Sequence, residues 1–344
     1  MQAIHQVFRQ MSNDDYHADR SGVGSSFLKE FMRSPLHAWA KYLDPEREVT
    51  DSRAFRIGRA WHCAVFEPEH FAQRYVVNHD AHPATSRAKV LNELLALDAD
   101  AAASELKRIA GVPDDLKATT KEGKALYADL EAQGRRPMPE SDLDFLVTEC
   151  ARMHGKDTLS SRDIERVQKM AAVARALPVS RVVFDQMAGF GHAETSLFAT
   201  DPGTGVGLKI RPDYLLTPCQ AFPNGLIIDG KSTADADEEG FGRSVWNYAY
   251  GLQASLYRRV YRLAFGTDQE PAFLWLAAEK EAPFAARYYG AGEDLCAHWA
   301  PKIDALLVRV RQCQETGVWP SYPTTVSTLA LPAWAEKRMQ DGAA

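Results

Sequence analysis

The chain has 344 residues, 45% of them hydrophobic and 25% charged, with a formal net charge of -6. That is the composition of a globular protein with enough chain to bury a sizeable core, and it excludes disordered, collagen-like and disulfide-scaffold classes. No apolar run approaches the roughly 20 residues that span a bilayer and the N-terminus lacks the apolar core of a secretion signal, so a cytoplasmic protein without a membrane partner is expected. Cys63, Cys150, Cys219, Cys296 and Cys313 lie far apart with no CxxC pair, which argues against a disulfide framework, a zinc site or an iron-sulfur cluster. The acidic balance argues only weakly against DNA as a partner, because a nucleic-acid enzyme can concentrate its basic residues in one channel.

In chain order, "SSFLKEFMRS" and "SPLHAWAKYLD" predict a helix hairpin, with Ser34 as cap and Pro35 in the first turn of the second helix. "AFRIGRAWHCAVFEP" has apolar residues at helical spacing, ends near Pro68 and carries His62. Residues 79 to 140 hold two or three further helical patterns around the loop-like "GVPDDLKATTKEG". "SSRDIERVQKMAAVARALP" predicts a helix with Ile164, Val167, Met170, Ala171 and Ala174 on one stripe. The period then changes: "HAETSLFATD", "GVGLKIRPDYLL" and "GLIIDGKS" read as three strands. "EEGFGRSVWNYAYGLQASLYRRVYRLAFG" reads as one long helix, "AFLWLAAEK" and "FAARYYG" as two strands, and "DLCAHWAPKIDALLVRVRQCQETG" as a last helix. The order predicts one α/β domain over 1–344, with a central mixed sheet flanked by helices and an N-terminal helical elaboration over 1–50.

Acid-x-Lys occurs four times, at Glu105, Asp115, Glu122 and Asp229, and three of these must be chance. The fourth ends an apolar strand, and a second strand ending "KIRPD" puts Asp213 sixteen residues upstream, a spacing that suits a hairpin. Alternation in a strand puts Asp229 and Lys231 on one face, and Lys209, Arg211 and Asp213 on one face of the other strand. Aligned, these faces bring two carboxylates and three cations together, an arrangement costly to bury unless a divalent cation and phosphates fill it. "SGVGSS" lacks the lysine and preceding strand of a phosphate-binding loop, so no nucleotide cofactor is expected.

"RPDY" followed by "IIDGKST" resembles the catalytic motif of the PD-(D/E)XK nuclease superfamily. "GRAWHCAVFEP" resembles the helix that supplies a metal-binding histidine in its RecB-like and RecE-like branches, and "YGLQASLY" resembles their Gln-x-x-x-Tyr helix. The flanking "YHADRSGVGSSFLKEFMRSPLHAWAKYLDP", "TKEGKALYADL" and "GVWPSYPTTVSTLALPAWA" are similar to the RecE-type (exodeoxyribonuclease VIII-like) exonucleases in particular. The resemblance implies a PD-(D/E)XK nuclease-like fold with its catalytic core in 160–317, while 83–118 resembles nothing placed and reads as a variable insertion. Gly230 departs from the apolar residue that relatives often carry there, which is expected to weaken strand packing but not the ligand set.

By the same resemblance Asp213, Asp229 and His62 bind Mg²⁺ or Mn²⁺, the imidazole favouring Mn²⁺ somewhat, and Lys231 positions the attacking water. Gln253 and Tyr257, four apart on one helical face, support the site by contacting DNA or orienting Lys231. Glu194 is a further metal or supporting group, and Lys209, Arg211, Lys121 and Lys124 are DNA contacts. Glu67 points well away from His62 on the helix and is not expected to share its role. The implied activity is metal-dependent hydrolysis of linear double-stranded DNA from the 5′ end by a ring-like oligomer. The exposed 3′ single strand passes to a RecT-like single-strand annealing protein, in phage or prophage recombination. The rival readings are a RecB-like or Cas4-like single-strand nuclease, the latter disfavoured by the scattered cysteines, and a non-catalytic DNA-binding or assembly module of the same fold.

Overall fold

The computed structural model describes residues 8–9, 11–47, 52–77, 90–91, 93–94, 96–117, 119–153, 155–331, 335 and 339. Residues 83–89 of the expected insertion lie outside them. A short strand β1 (Phe8–Arg9) is followed by α1 (Asn13–Ala18) and α2 (Ser25–Arg33). Ser34 then caps the turn Pro35–Ala38, its hydroxyl accepting from His37 N at 3.2 Å, with Pro35 at the first helical position as expected. Helix α3 (Arg53–Phe66) carries His62 and stops before Pro68. Strand β2 (Tyr75–Val77), helix α4 (Ala99–Leu106), β3 (Ile109–Val112), α5 (Lys121–Ala132), β4 (Arg136–Pro139), α6 (Glu140–Met153) and β5 (Asp157–Leu159) complete the first half. Parallel pairs β2–β5 and β3–β4 form two small sheets, and Val90, Leu94, Ala102, Ile109, Met138, Leu146 and Cys150 form a separate small core around the second.

Helix α7 (Ser161–Ala176), capped by Ser160, leads into the second half. Its stripe of Val167, Met170, Ala171 and Ala174 is buried. The strands are β6 (Gly191–Ala193), β7 (Ser196–Thr200), β8 (Gly207–Ile210), β9 (Tyr214–Leu216) and β10 (Leu226–Thr233). Helices α8 (Glu238–Asn247) and α9 (Tyr250–Phe265) cross to β11 (Ala272–Glu279) and β12 (Ala286–Gly290), and α10 (Glu293–Thr316) closes the fold. The central sheet has the order β12-β11-β10-β9-β6; β10 and β11 are parallel and the other pairs antiparallel, so it is mixed as expected. A second sheet, β1-β7-β8, packs on α9.

Three expected elements are interrupted. The "HAETSLFATD" strand divides into β6 and β7 at Glu194, whose φ is +48°. The "GVGLKIRPDYLL" strand divides into β8 and β9, which lie in different sheets, at Arg211–Asp213, where Pro212 supplies no ladder N–H. The long helix divides into α8 and α9 at Ala249, which is left-handed at φ +49°.

Strand alternation builds two cores on either side of the central sheet. Leu215, Ile227, Phe273, Trp275 and Ala277 face α2, α9 and α10, while Tyr214, Leu216, Leu226, Ile228, Leu276 and Ala278 face α3 and α7. Ile227 and Ile228 are both fully buried, and each such side chain contributes roughly 1.5–3 kcal/mol. All five cysteines are free. Among the described residues no helix is long and apolar enough to cross a membrane.

Candidate active site

Register brings the acids together. In the antiparallel ladders Ile228 pairs with Tyr214 and Ala193 pairs with Tyr214, so Asp229, Asp213 and Glu194 follow at one level across three neighbouring strands. Glu194 N donates to Asp213 O at 3.1 Å, which locks the two interrupted strands at that level. Asp229 continues the odd-numbered face of β10, and Lys231, two residues on, lies against its Oδ2 as alternation predicts. From the opposite face, α3 brings His62 Nδ1 to 3.1 Å from Asp213 Oδ1.

Gly230 explains how a helix reaches the same centre. A Cβ there would stand 2.9 Å from Trp61 Cζ3 and 3.0 Å from Phe66 Cε2, side chains that flank His62 on α3. The missing side chain is therefore a packing requirement that seats α3 on the strand, which corrects the expectation that it weakens packing. Gly230 N also donates to Asp213 Oδ2 at 2.6 Å.

Asp229 is 2% exposed and Asp213 8%, so their charges need partners. Burial raises Asp213, but His62, Lys231 and the Gly230 N–H outweigh it and hold it below the usual carboxylate range. Burial pushes Asp229 up, assisted by Asp213 and opposed by Lys231. Burial and Asp213 also raise Glu194. Lys231 would be depressed by burial, yet Asp229 and Asp213 keep it protonated. Burial likewise lowers His62, but the Asp213 charge and hydrogen bond prevail and bring it to about 9.

The remaining expected residues divide into those at the centre and those elsewhere. Gln253 Nε2 donates to Asp229 Oδ1 at 2.6 Å, so it orients the carboxylate rather than Lys231. Tyr257 donates to Arg211 O at 3.2 Å and pins the break that carries Asp213. Lys209 is buried, its ammonium donating to Tyr16 O at 2.7 Å and Asp19 O at 2.5 Å, so it secures α1 and presents nothing to a phosphate. Arg211 donates to Glu194 Oε2 at 2.9 Å, Ser196 Oγ at 2.8 Å and Met11 O at 3.1 Å. Two of the four cations expected at DNA, Lys209 and Arg211, are thus committed to protein groups. Lys121 and Lys124 are exposed on α5, which packs on β4 in the small third core rather than on the central sheet. Glu67 accepts from Arg74.

Two residues escaped the sequence reading. Tyr250 lies under Lys231, 4.8 Å from ring centroid to Nζ, and Lys29 of α2 lies over the same ring at 5.1 Å. Tyr250, Gln253 and Tyr257 fall at i, i+3 and i+7, so the helical stripe that named the last two could have named the first.

The donors suit a hard divalent cation. His62, Glu194 and Asp213 each offer a ligand atom within 4.8 Å of the others, and Asp229, with Lys231 against its Oδ2, stands across from Asp213 just past the Ile228–Tyr214 ladder pair. One imidazole with carboxylate oxygens is a donor set that can hold a divalent cation. The left-handed Glu194 is a strained residue of the kind that clusters at functional sites.

A family model described as a PDDEXK-like domain of unknown function (DUF3799) matches residues 24–112 and 140–330. The chain belongs to the DUF3799 family. A crystal structure from Eubacterium rectale, described as a candidate exonuclease, aligns with this DUF3799 chain at a TM-score of 0.52 and 11% identity. That alignment covers 95% of this chain and 98% of the other, and shows a shared fold. A second structure, SSO0001, is 10% identical over 67% of this chain and 87% of its own, at a TM-score of 0.27. A search of curated proteins finds no match. The fold and family are those of the PD-(D/E)XK superfamily, whose nucleases use divalent metals.

Proposed function

We propose that this DUF3799 protein is a RecE-type, Mg²⁺- or Mn²⁺-dependent exonuclease that digests linear double-stranded DNA from the 5′ end and leaves a 3′ single strand. The observation that carries this reading is the convergence of Asp213, Glu194 and His62 as possible metal ligands, with Asp229 and its partner Lys231 on the neighbouring strand. Bound there, the cation would acidify a water and neutralise charge on the scissile phosphate. The chain's own residues prepare the rest. Lys231, kept charged by two carboxylates, stabilises negative charge on the phosphate and helps place the nucleophile. Gln253 holds Asp229 in one rotamer, and Tyr257 holds the backbone from which Asp213 projects. A ring of subunits would gather basic residues into a channel and reconcile a net charge of -6 with a DNA substrate. The exposed strand would pass to a RecT-like annealing protein in phage or prophage recombination.

The test is digestion of linear duplex DNA labelled separately at its 5′ and 3′ ends, with Mg²⁺, with Mn²⁺ and with EDTA. Early mononucleotide release from 5′ labels is expected, with none in EDTA. Lys231→Ala and Asp229→Asn should each lower the rate by about 100-fold or more. Early release from 3′ labels would reverse the polarity, and digestion of single strands alone would favour a RecB-like enzyme. Intact substrates under both metals would sink the nuclease reading.

A further inference from the structure

The break between α8 and α9 sets out a row of aromatic rings. Ala249 adopts φ +49° and ψ +46°, a conformation that costs a residue with a Cβ roughly 1–2 kcal/mol, with no glycine to relieve it. The consequence is that Tyr248 leaves the helix surface, 62% exposed, while its ring stacks on Tyr250 at 5.7 Å and 28°. Tyr250 in turn bears Lys231 on its ring, so an exposed aromatic face continues directly from the cation of the active centre. Trp246 is also exposed, at 64%, and is tilted against His298 at 5.7 Å.

Charge accompanies the rings. Lys29 shares the Tyr250 ring with Lys231, and among the described residues no carboxylate lies within ion-pair distance of it. Burial and the neighbouring Lys231 charge lower it to about 8, against the opposing pull of Asp229. An unneutralised cation beside an exposed aromatic face is the pairing that holds single-stranded nucleic acid, the cation taking a phosphate and the ring a base.

We propose that Tyr248, backed by Tyr250, is a stacking platform for an unpaired base of the strand whose phosphate reaches Lys231, with Lys29 taking an adjacent phosphate. The platform rests on the nuclease reading for its ligand. It adds that the enzyme holds the end of its DNA with at least one base out of the duplex.

Binding without turnover separates the two ideas. The full chain in EDTA is titrated with a fluorescent single-stranded oligonucleotide, and with a series carrying one abasic site at successive positions. Tyr248→Ala should bind the intact oligonucleotide about 5- to 100-fold more weakly than wild type. Tyr248→Phe, which keeps the ring, should restore wild-type affinity and so excludes a folding defect. One abasic position should abolish the difference between wild type and Tyr248→Ala. The platform is overturned if Tyr248→Ala binds as tightly as wild type, or if wild type does not bind the oligonucleotide. It is also overturned if Tyr248→Ala changes the sedimentation coefficient at unchanged affinity, which would make these rings a contact between copies. Tyr248-dependent binding in EDTA by a wild type that cleaves no DNA under either metal would strike the nuclease reading and leave the platform standing. Cleavage with Tyr248-independent binding would do the reverse.

Discussion

His62 meets two opposed demands. A divalent cation needs its imidazole neutral, yet the Asp213 carboxylate outweighs burial and holds it protonated up to about pH 9. Metal binding should therefore expel a proton from His62 at neutral pH, and apparent affinity should rise with pH until about 9. Calorimetric titration of Mn²⁺ in buffers of different ionisation enthalpy measures that proton, and His62→Asn should release less. The sign for stability is opposite. The folded pKa lies above the ordinary 6.5, so the stabilisation is fully present below pH 6.5 and is lost as pH rises through about 9. Melting of the metal-free protein should accordingly fall across that window, and a flat profile in wild type would refute the His62–Asp213 pairing. At this scale Asp213, Asp229 and Lys231 were readable because strand ends and alternation fix where such side chains meet. Lys209 and Arg211 were misread because the carbonyls and carboxylate that engage them come from α1 and Glu194, far away in sequence.

Among the elements, the strand β10 and the helix α3 meet at Gly230, and the seat is narrow. An alanine Cβ would press on two aromatic rings of a packed core, where overfilling typically costs about 1–3 kcal/mol. Gly230→Ala should lower the unfolding free energy by that amount and displace His62, so Mn²⁺ affinity should fall as well. Denaturant titration with and without Mn²⁺ checks both, and an alanine variant as stable as wild type would show that α3 is not seated there. Most elements were legible because apolar period separates α7 and α10 from β10 and β11. The breaks were less so. Pro212 was a visible signal that β8 and β9 could not be one ladder, whereas neither Glu194 nor Ala249 is a residue type that announces positive φ. Those left-handed positions occur where the chain turns into the active centre, and there local preference yields to tertiary demand.

Across the whole molecule, a net charge of -6 means that the proposed DNA affinity would come from few cations in particular places rather than from a general field. Lysines cannot be ranked for this by counting, because Lys209 is engaged internally and Lys231 faces carboxylates, while Lys29 lies over a ring with no carboxylate within ion-pair distance among the described residues. If Lys29 neutralises one phosphate, Lys29→Gln should reduce the slope of log affinity against log salt by about one. A binding series in EDTA from low to moderate salt measures this, with Lys121→Gln as the comparison on the third core, expected to leave the slope unchanged. pH supplies an internal control. With its pKa lowered to about 8 in the free protein, Lys29 loses charge as pH rises past that value, so the difference between wild type and Lys29→Gln should narrow toward pH 9. Slopes that are equal at pH 7, or a difference that persists unchanged above pH 9, would remove Lys29 from the DNA path.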